Sequence, residues 1–156
     1  MIKDILEYNN YIFDCDGVVL DSNAIKTETF SETLDNEKES HRNQFIEYHK
    51  SNTGVSRYEK FNNYLKNIKN EDDYSKELEF LLKKFSTLLK KKLIECELTE
   101  KITPFLEYLN SKQKNIFLVS ASDQNELIDI FKQRKLDKYF KKILGSPANK
   151  IENINT

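Results

Sequence analysis

Two aspartates two residues apart, Asp14 and Asp16, close a short apolar segment and are followed at once by Gly17. Side chains of a β-strand alternate between its faces, so residues two apart point the same way. We therefore expect both carboxylates at the carboxyl end of a buried strand at 11–13, where Gly17 lets the backbone turn sharply. Paired carboxylates there suit a divalent cation, or a nucleophile held beside an acid. An ordinary strand-to-loop transition has the same residue types, since Asp and Gly are common in turns.

Two later segments predict further strands that end in polar loops. The apolar run 115–119 ends at Ser120, and a short strand at about 142–144 stops at Gly145, shortly before Lys150. Helical patterns separate these strands, and this order predicts an α/β fold with right-handed crossovers. In such sheets, functional residues gather beyond the carboxyl ends of the strands. Ser120 and Lys150 could each also be an ordinary residue without a role in binding.

Residues 23–95 contain helical apolar spacing and no convincing strand. We therefore predict an α/β core formed by 1–21 and 97–156, with a helical cap, 22–96, inserted after the first strand. Within the cap, Gly54 lies in a loop shortly before Arg57, which is either a solvated charge or a binding group for an anion. The two histidines, His41 and His49, are expected to be exposed.

The composition narrows the classes of partner. A net charge of −1 gives no positive field for nucleic acid or acidic membranes, so neither is an expected partner. No apolar run reaches membrane-spanning length, and the N-terminus lacks the apolar core of a signal peptide. The two cysteines, Cys15 and Cys96, make no disulfide framework, which favours a reducing cytoplasm.

The segment from Phe13 to Ser22 resembles the first motif of the haloacid-dehalogenase-like phosphohydrolase superfamily. Ser120, at the end of an apolar strand, is similar to the second motif of that superfamily, and Lys150 to the third. The helical insertion resembles the cap of the branch that contains phosphoglycolate phosphatase and β-phosphoglucomutase. The resemblance implies a Rossmann-like parallel sheet with an inserted helical cap.

The resemblance also implies a function, a Mg²⁺-dependent phosphatase acting on a small phosphorylated metabolite. In that reaction, Asp14 would be the nucleophile that forms an aspartyl phosphate, and Asp16 would be the general acid and base. Asp14 and Asp16 would also hold the Mg²⁺ ion. Ser120, the Ala121 backbone N–H at a helix start, and Lys150 would bind the phosphoryl group.

The segment Gly54–Arg57 resembles a cap loop of the phosphoglucomutase that faces the active site. This likeness makes Gly54, Arg57 and Lys26, one turn into the first cap helix, the predicted substrate residues of the cap. Lys26 stands where the phosphoglucomutase has a histidine. A lysine shuttles a proton near neutral pH less readily than a histidine, so a phosphatase is favoured over a sugar phosphomutase.

The fourth motif of the superfamily is an acidic pair at the end of a further strand. It should lie some tens of residues beyond Lys150, whereas the sequence ends six residues after Lys150. We therefore expect a C-terminally truncated core whose first strand is an open sheet edge, prone to self-association or dependent on another chain. The alternative function is a catalytically weak or inactive member that at most binds phosphorylated ligands.

Overall fold

The computed structural model describes residues 6–155 and divides the chain into two compact units. Met1–Asp21 and Cys96–Thr156 form the first unit, and Ser22–Glu95 forms the second. In chain order the elements are β1 (Asn10–Phe13), α1 (Asn23–Thr33), α2 (Glu39–Ser51), α3 (Arg57–Asn63), a π-helical turn (Tyr64–Ile68), α4 (Ser75–Glu95), α5 (Ile102–Ser111), β2 (Asn115–Asp123), α6 (Gln124–Gln133), a 3₁₀ turn (Asp137–Tyr139), β3 (Lys142–Ser146) and α7 (Lys150–Ile154).

The first unit is built on a parallel sheet of three strands in the order β1-β2-β3. In the register, Phe13 of β1 faces Leu118 of β2, and Val119 of β2 faces Leu144 of β3. Since the strands run the same way, their carboxyl ends meet at one edge of the sheet. The predicted α/β fold with a parallel sheet is confirmed.

β2 and β3 both run further than the sequence predicts. The register between them shifts after Val119, and extended chain continues until Asp123 faces Ser146. Such a bulge lets a strand bend and re-aim its last residues. The side chain of Asp123 then accepts the N–H groups of Asn125 and Glu126, so α6 begins at Gln124. The helix start expected at Ala121 is therefore wrong by three residues.

Two amphipathic helices complete the core of the first unit. α5 packs on β2, and α6 packs on β2 and β3. The ring of Phe13 meets that of Phe105 edge-on, with centroids 5.9 Å apart. The buried apolar residues of these two helices are Ile102, Leu106, Leu109, Leu127, Ile130 and Phe131. This packing holds the sheet firmly behind the edge where its polar loops gather.

β1 is an edge strand of the described sheet. Within residues 6–155 it pairs with β2 alone. Ile12, at its centre, is 50% exposed, which is high for a large apolar residue of a strand. Two isoleucines of α7, Ile151 and Ile154, are also exposed.

The second unit packs around a cluster of aromatic rings drawn from all of its helices. The rings of Phe30 and Phe85 stack with centroids 4.2 Å apart, and those of Phe45 and Phe61 stack at 5.6 Å. Tyr64 meets Phe45 edge-on at 5.3 Å. Because each ring buries a large area and prefers stacked or edge-on neighbours, this cluster holds the helical bundle together.

His49 lies inside this unit, so its expected exposure is wrong. It is 8% exposed, and its ring lies 4.6 Å from that of Phe30. The ammonium of Lys60 donates to Nδ1 of His49 at 2.8 Å, because an ammonium has no acceptor. Nε2 of the neutral ring then carries the hydrogen and donates to the Thr27 hydroxyl at 3.1 Å, which in turn donates to the Asn23 carbonyl. One relay thus joins α1, α2 and α3.

The stability of the chain should fall in mild acid because of His49. Burial, and after it the positive charges of Lys60, Lys26 and Lys50, lowers the pKa of its ring from 6.5 to about 4. Between these values the unfolded state binds more protons than the folded one, so the free energy of unfolding falls as the pH drops from about 6.5 to about 4. The expected loss is up to roughly 3 kcal/mol.

Urea unfolding followed by circular dichroism at a series of pH values checks this dependence. His49→Gln should flatten the slope of unfolding free energy between pH 6.5 and 4, whereas His41→Gln should leave it unchanged. Equal slopes in the wild type and His49→Gln would show that other groups cause the acid sensitivity.

Candidate active site

Asp14 and Lys150 meet at the carboxyl edge of the sheet. Asp14 is the first residue after β1, and Lys150 is the first residue of α7, 136 positions later. Lys150 Nζ donates to Asp14 Oδ2 at 2.6 Å, while Asp14 Oδ1 accepts the Cys15 N–H at 2.8 Å. Each carboxylate oxygen therefore has a fixed partner. The two side chains remain partly exposed, at 35% for Lys150 and 39% for Asp14, so the pair is accessible to a ligand.

A tight turn follows Asp14 and carries Asp16. The N–H groups of Val19 and Leu20 both donate to the Cys15 carbonyl at 2.9 Å, and the N–H of Gly17 donates to the Leu20 carbonyl at 2.7 Å. Gly17 has φ +71°, a left-handed conformation that favours glycine. The half-exposed Asp16 thus lies within a turn that is anchored by the buried Val19 and Leu20.

Ser120 is buried within β2, in the part that follows the register shift. Phe13 of β1 is paired with Leu118 of β2. Ser120 follows Leu118 by two residues, just as Cys15 follows Phe13 by two. The Ser120 hydroxyl donates to Ser122 Oγ at 3.1 Å and accepts the Ser122 N–H at 3.1 Å. Ser120 is thus held in the strand next to the one that carries Asp14, and its phosphate-binding role stays a prediction.

Ala121 lies in extended chain rather than at a helix start, as described above. Its carbonyl accepts the hydroxyl of Ser146 at 2.8 Å, which ties the end of β3 to β2. The assignment of the Ala121 N–H to a helix terminus therefore fails. Any contact that this N–H makes to a phosphoryl group would come without the helix dipole.

Sequence reasoning missed two amide side chains that fix the loop before Lys150. Gln124 donates from Nε2 to the Ile143 carbonyl at 2.8 Å and accepts the Gly145 N–H at 2.6 Å. Asn153, which is buried, donates from Nδ2 to the carbonyls of Gly145 at 3.1 Å and Ala148 at 3.2 Å. Amides in polar segments usually face solvent, so only the structure reveals these contacts.

The predicted substrate residues of the cap lie in the second unit. Arg57 is 7% exposed, and its guanidinium lies over the rings of Phe85 at 5.5 Å and Tyr58 at 5.7 Å. The alternative of a solvated charge is therefore wrong. Gly54 is exposed with φ +84°, and Lys26 is half-buried. Their role in substrate binding stays a prediction.

The donor atoms at the edge of the sheet fit a magnesium ion better than a softer metal. Within residues 6–155, no group of three or more His, Cys, Asp or Glu side chains is placed to hold a metal. Mg²⁺ usually takes only one or two protein carboxylates and keeps several waters. A carboxylate oxygen of Asp14 and the backbone carbonyl of Asp16 are two hard oxygen donors of this kind.

A family comparison agrees with this geometry. The family model described as haloacid dehalogenase-like hydrolase matches residues 11–152, which is most of the chain. The chain belongs to the haloacid dehalogenase-like hydrolase family. The match runs from β1 into α7 and so includes both Asp14 and Lys150.

Solved structures related to this haloacid dehalogenase-like chain share its fold. One from Haemophilus somnus, described as a predicted phosphoglycolate phosphatase, has a TM-score of 0.69 at 14% identity and covers 92% of this chain and 66% of its own. One from Clostridium acetobutylicum, described as a predicted phosphatase, has a TM-score of 0.63 at 23% identity, with coverage of 89% and 61%.

A third is the HAD-hydrolase YfnB of Bacillus subtilis, described as bound to magnesium, with a TM-score of 0.63 at 17% identity and coverage of 89% and 65%. The chain spans roughly two thirds of the length of these structures. No curated protein matches the sequence. The expected fold and family are confirmed.

In the described part of the chain, no helix is both long and apolar enough to span a membrane.

Proposed function

We propose that this chain is a Mg²⁺-dependent phosphatase that hydrolyses the monoester of a small phosphorylated metabolite. The observation that carries the proposal is the 2.6 Å ion pair between Lys150 and Asp14 at the carboxyl edge of a parallel sheet. A carboxylate held by an ammonium at this edge is suited to attack a phosphorus atom. Membership of a hydrolase family supports the same reaction class.

The first half of the reaction transfers the phosphoryl group to Asp14. A carboxylate oxygen of Asp14 attacks the phosphorus, and the bond from phosphorus to the leaving oxygen breaks. Asp16 gives its proton to that oxygen, so that an alcohol departs. Asp14 is ready for this attack because a hydrogen-bonded carboxylate oxygen still has a further lone pair, and its two fixed partners restrict rotation of the group.

The second half releases inorganic phosphate. Asp16 takes a proton from a water that attacks the phosphorus, and the bond from phosphorus to Asp14 breaks. The ammonium of Lys150 stabilises negative charge on the phosphoryl oxygens in both halves. A carboxylate oxygen of Asp14 and the backbone carbonyl of Asp16 would hold Mg²⁺, which when bound neutralises further charge on the transferring group.

The phosphoryl group would also need donors from the end of β2. Ser120 can supply its hydroxyl by exchanging the bond to Ser122 for one to a phosphoryl oxygen. The Ala121 N–H is the second proposed donor.

We further propose that Arg57, with Gly54 and Lys26, contacts the part of the substrate that is not transferred. The support is chemical: a guanidinium binds carboxylate and phosphate in a bidentate way, and Lys26 adds a second cation. A substrate with an anionic group besides its phosphate is therefore preferred. Phosphorylated organic acids meet this description, whereas sugar monophosphates lack the second anionic group.

A panel of phosphomonoesters tests the function. The purified chain, with and without MgCl₂, should release inorganic phosphate from some members, and EDTA should stop the release. An isomer with little free phosphate would indicate a phosphomutase instead. Absence of turnover, combined with tight binding of beryllium fluoride and Mg²⁺, would indicate a chain that only binds phosphorylated ligands.

The edge of β1 leads to a proposal about assembly. Its backbone groups can pair with a strand of a second copy, and Ile12, Ile151 and Ile154 offer apolar area to be covered. Sedimentation should show a dimer that Ile12→Lys dissociates; a wild-type monomer at high concentration would refute the proposed dimer.

We keep the cytoplasm as the proposed compartment, because Cys15 and Cys96 are both buried free thiols.

A further inference from the structure

The helix that carries the ammonium of the site is too short to fix it alone. α7 has five residues and begins at Lys150. A capping box closes its first turn: Asn149 Oδ1 accepts the Glu152 N–H at 3.0 Å, and Glu152 Oε2 accepts the Asn149 N–H at 2.9 Å. These bonds fix the helix relative to Asn149 but do not attach it to the sheet.

Asn153 provides that attachment. It lies in α7, three residues after Lys150, and is 8% exposed. Its Nδ2 bridges two carbonyls of the preceding loop, those of Gly145 at 3.1 Å and Ala148 at 3.2 Å. Both hydrogens of one amide nitrogen are thereby used on the chain that connects β3 to α7.

The loop itself is tied to the central strand. Gln124 holds β3 through the Gly145 N–H, and the Ser146 hydroxyl donates to the Ala121 carbonyl. At Gly145 a Cβ atom would stand 2.6 Å from the Ser122 carbonyl oxygen, so the chain runs close against β2 there. A continuous set of contacts therefore runs from β2, through the loop, to Asn153 and its helix.

We propose that Asn153 is a positioning residue, whose two hydrogen bonds keep the Lys150 ammonium on Asp14. Without them, α7 keeps its capping box and its packing beside β2 and β3 but is no longer bonded to the loop, so it can shift and move the ammonium off the carboxylate. Asn153 does not touch the reacting atoms. The consequence for turnover rests on the phosphatase function proposed above, but the effect on the ion pair does not.

The reactivity of the Lys150 amine measures this positioning without any catalysis. Trace acetylation of the folded chain, followed by mass spectrometry, gives the labelling rate of Lys150 relative to the exposed Lys141. Asp14→Asn sets the upper reference, since it removes the anion that holds the ammonium. Asn153→Leu, which keeps the volume but has no donor, should raise Lys150 labelling towards that reference.

Two further variants keep this test decisive. Asn153→Ser is a milder change, for use if the unpaired carbonyls of Gly145 and Ala148 unfold Asn153→Leu. The serine hydroxyl is too short to bridge both carbonyls. Asn155→Ala, at an exposed position of the same helix end, is the control and should leave labelling unchanged. Unchanged Lys150 labelling in folded Asn153 variants would overturn the proposal.

Turnover supplies the second readout. Asn153→Leu should lower kcat about tenfold or more with little change in KM, because a small misplacement of a charged group is costly in the transition state. In a Lys150→Met background the same change should have no effect beyond about twofold, whereas a purely structural role would multiply the losses. If the chain shows no phosphatase activity, the proposed function fails while labelling still decides the role of Asn153.

Discussion

Asp14→Asn is expected to abolish phosphate release while leaving the chain folded. An amide oxygen is a far poorer nucleophile than a carboxylate, and removal of a nucleophile lowers kcat by roughly 10⁴-fold or more. The amide has nearly the same shape as the carboxylate and can still accept the Cys15 N–H. Phosphate release under saturating substrate and MgCl₂ is the measurement, with thermal unfolding as the check on folding.

Asp21→Asn is the matched control for that experiment. Asp21 lies in the same polar segment and is exposed, and its backbone N–H bonds to the Glu97 carbonyl at 3.0 Å. Substitution of its side chain should leave kcat within about twofold, as for other surface changes remote from the chemistry. Activity above about a tenth of the wild type in Asp14→Asn would assign the nucleophile to another residue.

Lys150→Met should lower kcat by about 10²- to 10³-fold, because one preorganised charge that stabilises the transition state is removed. The stability of the chain should change little. The ion pair is more than a third exposed on both sides, and such pairs contribute at most about 1 kcal/mol. The measurement is kcat with Mg²⁺ alongside the midpoint of urea unfolding.

Two other lysine variants sharpen this prediction. Lys150→Arg keeps the charge but changes its shape, so we expect partial activity. Lys142→Met removes an exposed lysine of β3 and should leave kcat unaltered. A loss below about threefold in Lys150→Met would mean that the contact with Asp14 is a surface ion pair without a catalytic role.

The sequence alone predicts those site residues whose chemistry and position both follow from one short pattern. Asp14 and Asp16 could be predicted because strand alternation and the turn at Gly17 are local effects that involve only a few residues. Lys150 could be predicted only because β3 runs parallel to β1, so that residues far apart in sequence lie at the same edge of the sheet. The contact between Asp14 and Lys150 follows from the fold class, not from any local signal.

Other features depend on non-local packing and could not be predicted. His49 is a polar residue in a charged helix, and its burial results from packing against the ring of Phe30 and from its contacts with Lys60 and Thr27. The start of α6 is displaced because a bulge in β2 prolongs its pairing with β3 as far as Asp123. Asn153 and Gln124 sit in polar segments typical of exposed chain, and their contacts form only once the loop between β3 and α7 has closed.

The way the helical segment leaves and rejoins the sheet unit has a consequence for evolution. The Asp21 N–H bonds to the Glu97 carbonyl, the Thr99 N–H bonds to the Val19 carbonyl at 3.1 Å, and Leu20 bridges to Leu98. Exit and return therefore lie side by side, and the closure entropy of whatever lies between them grows only slowly with its length. A gene can therefore exchange that segment for a longer or shorter one while the sheet unit is inherited intact.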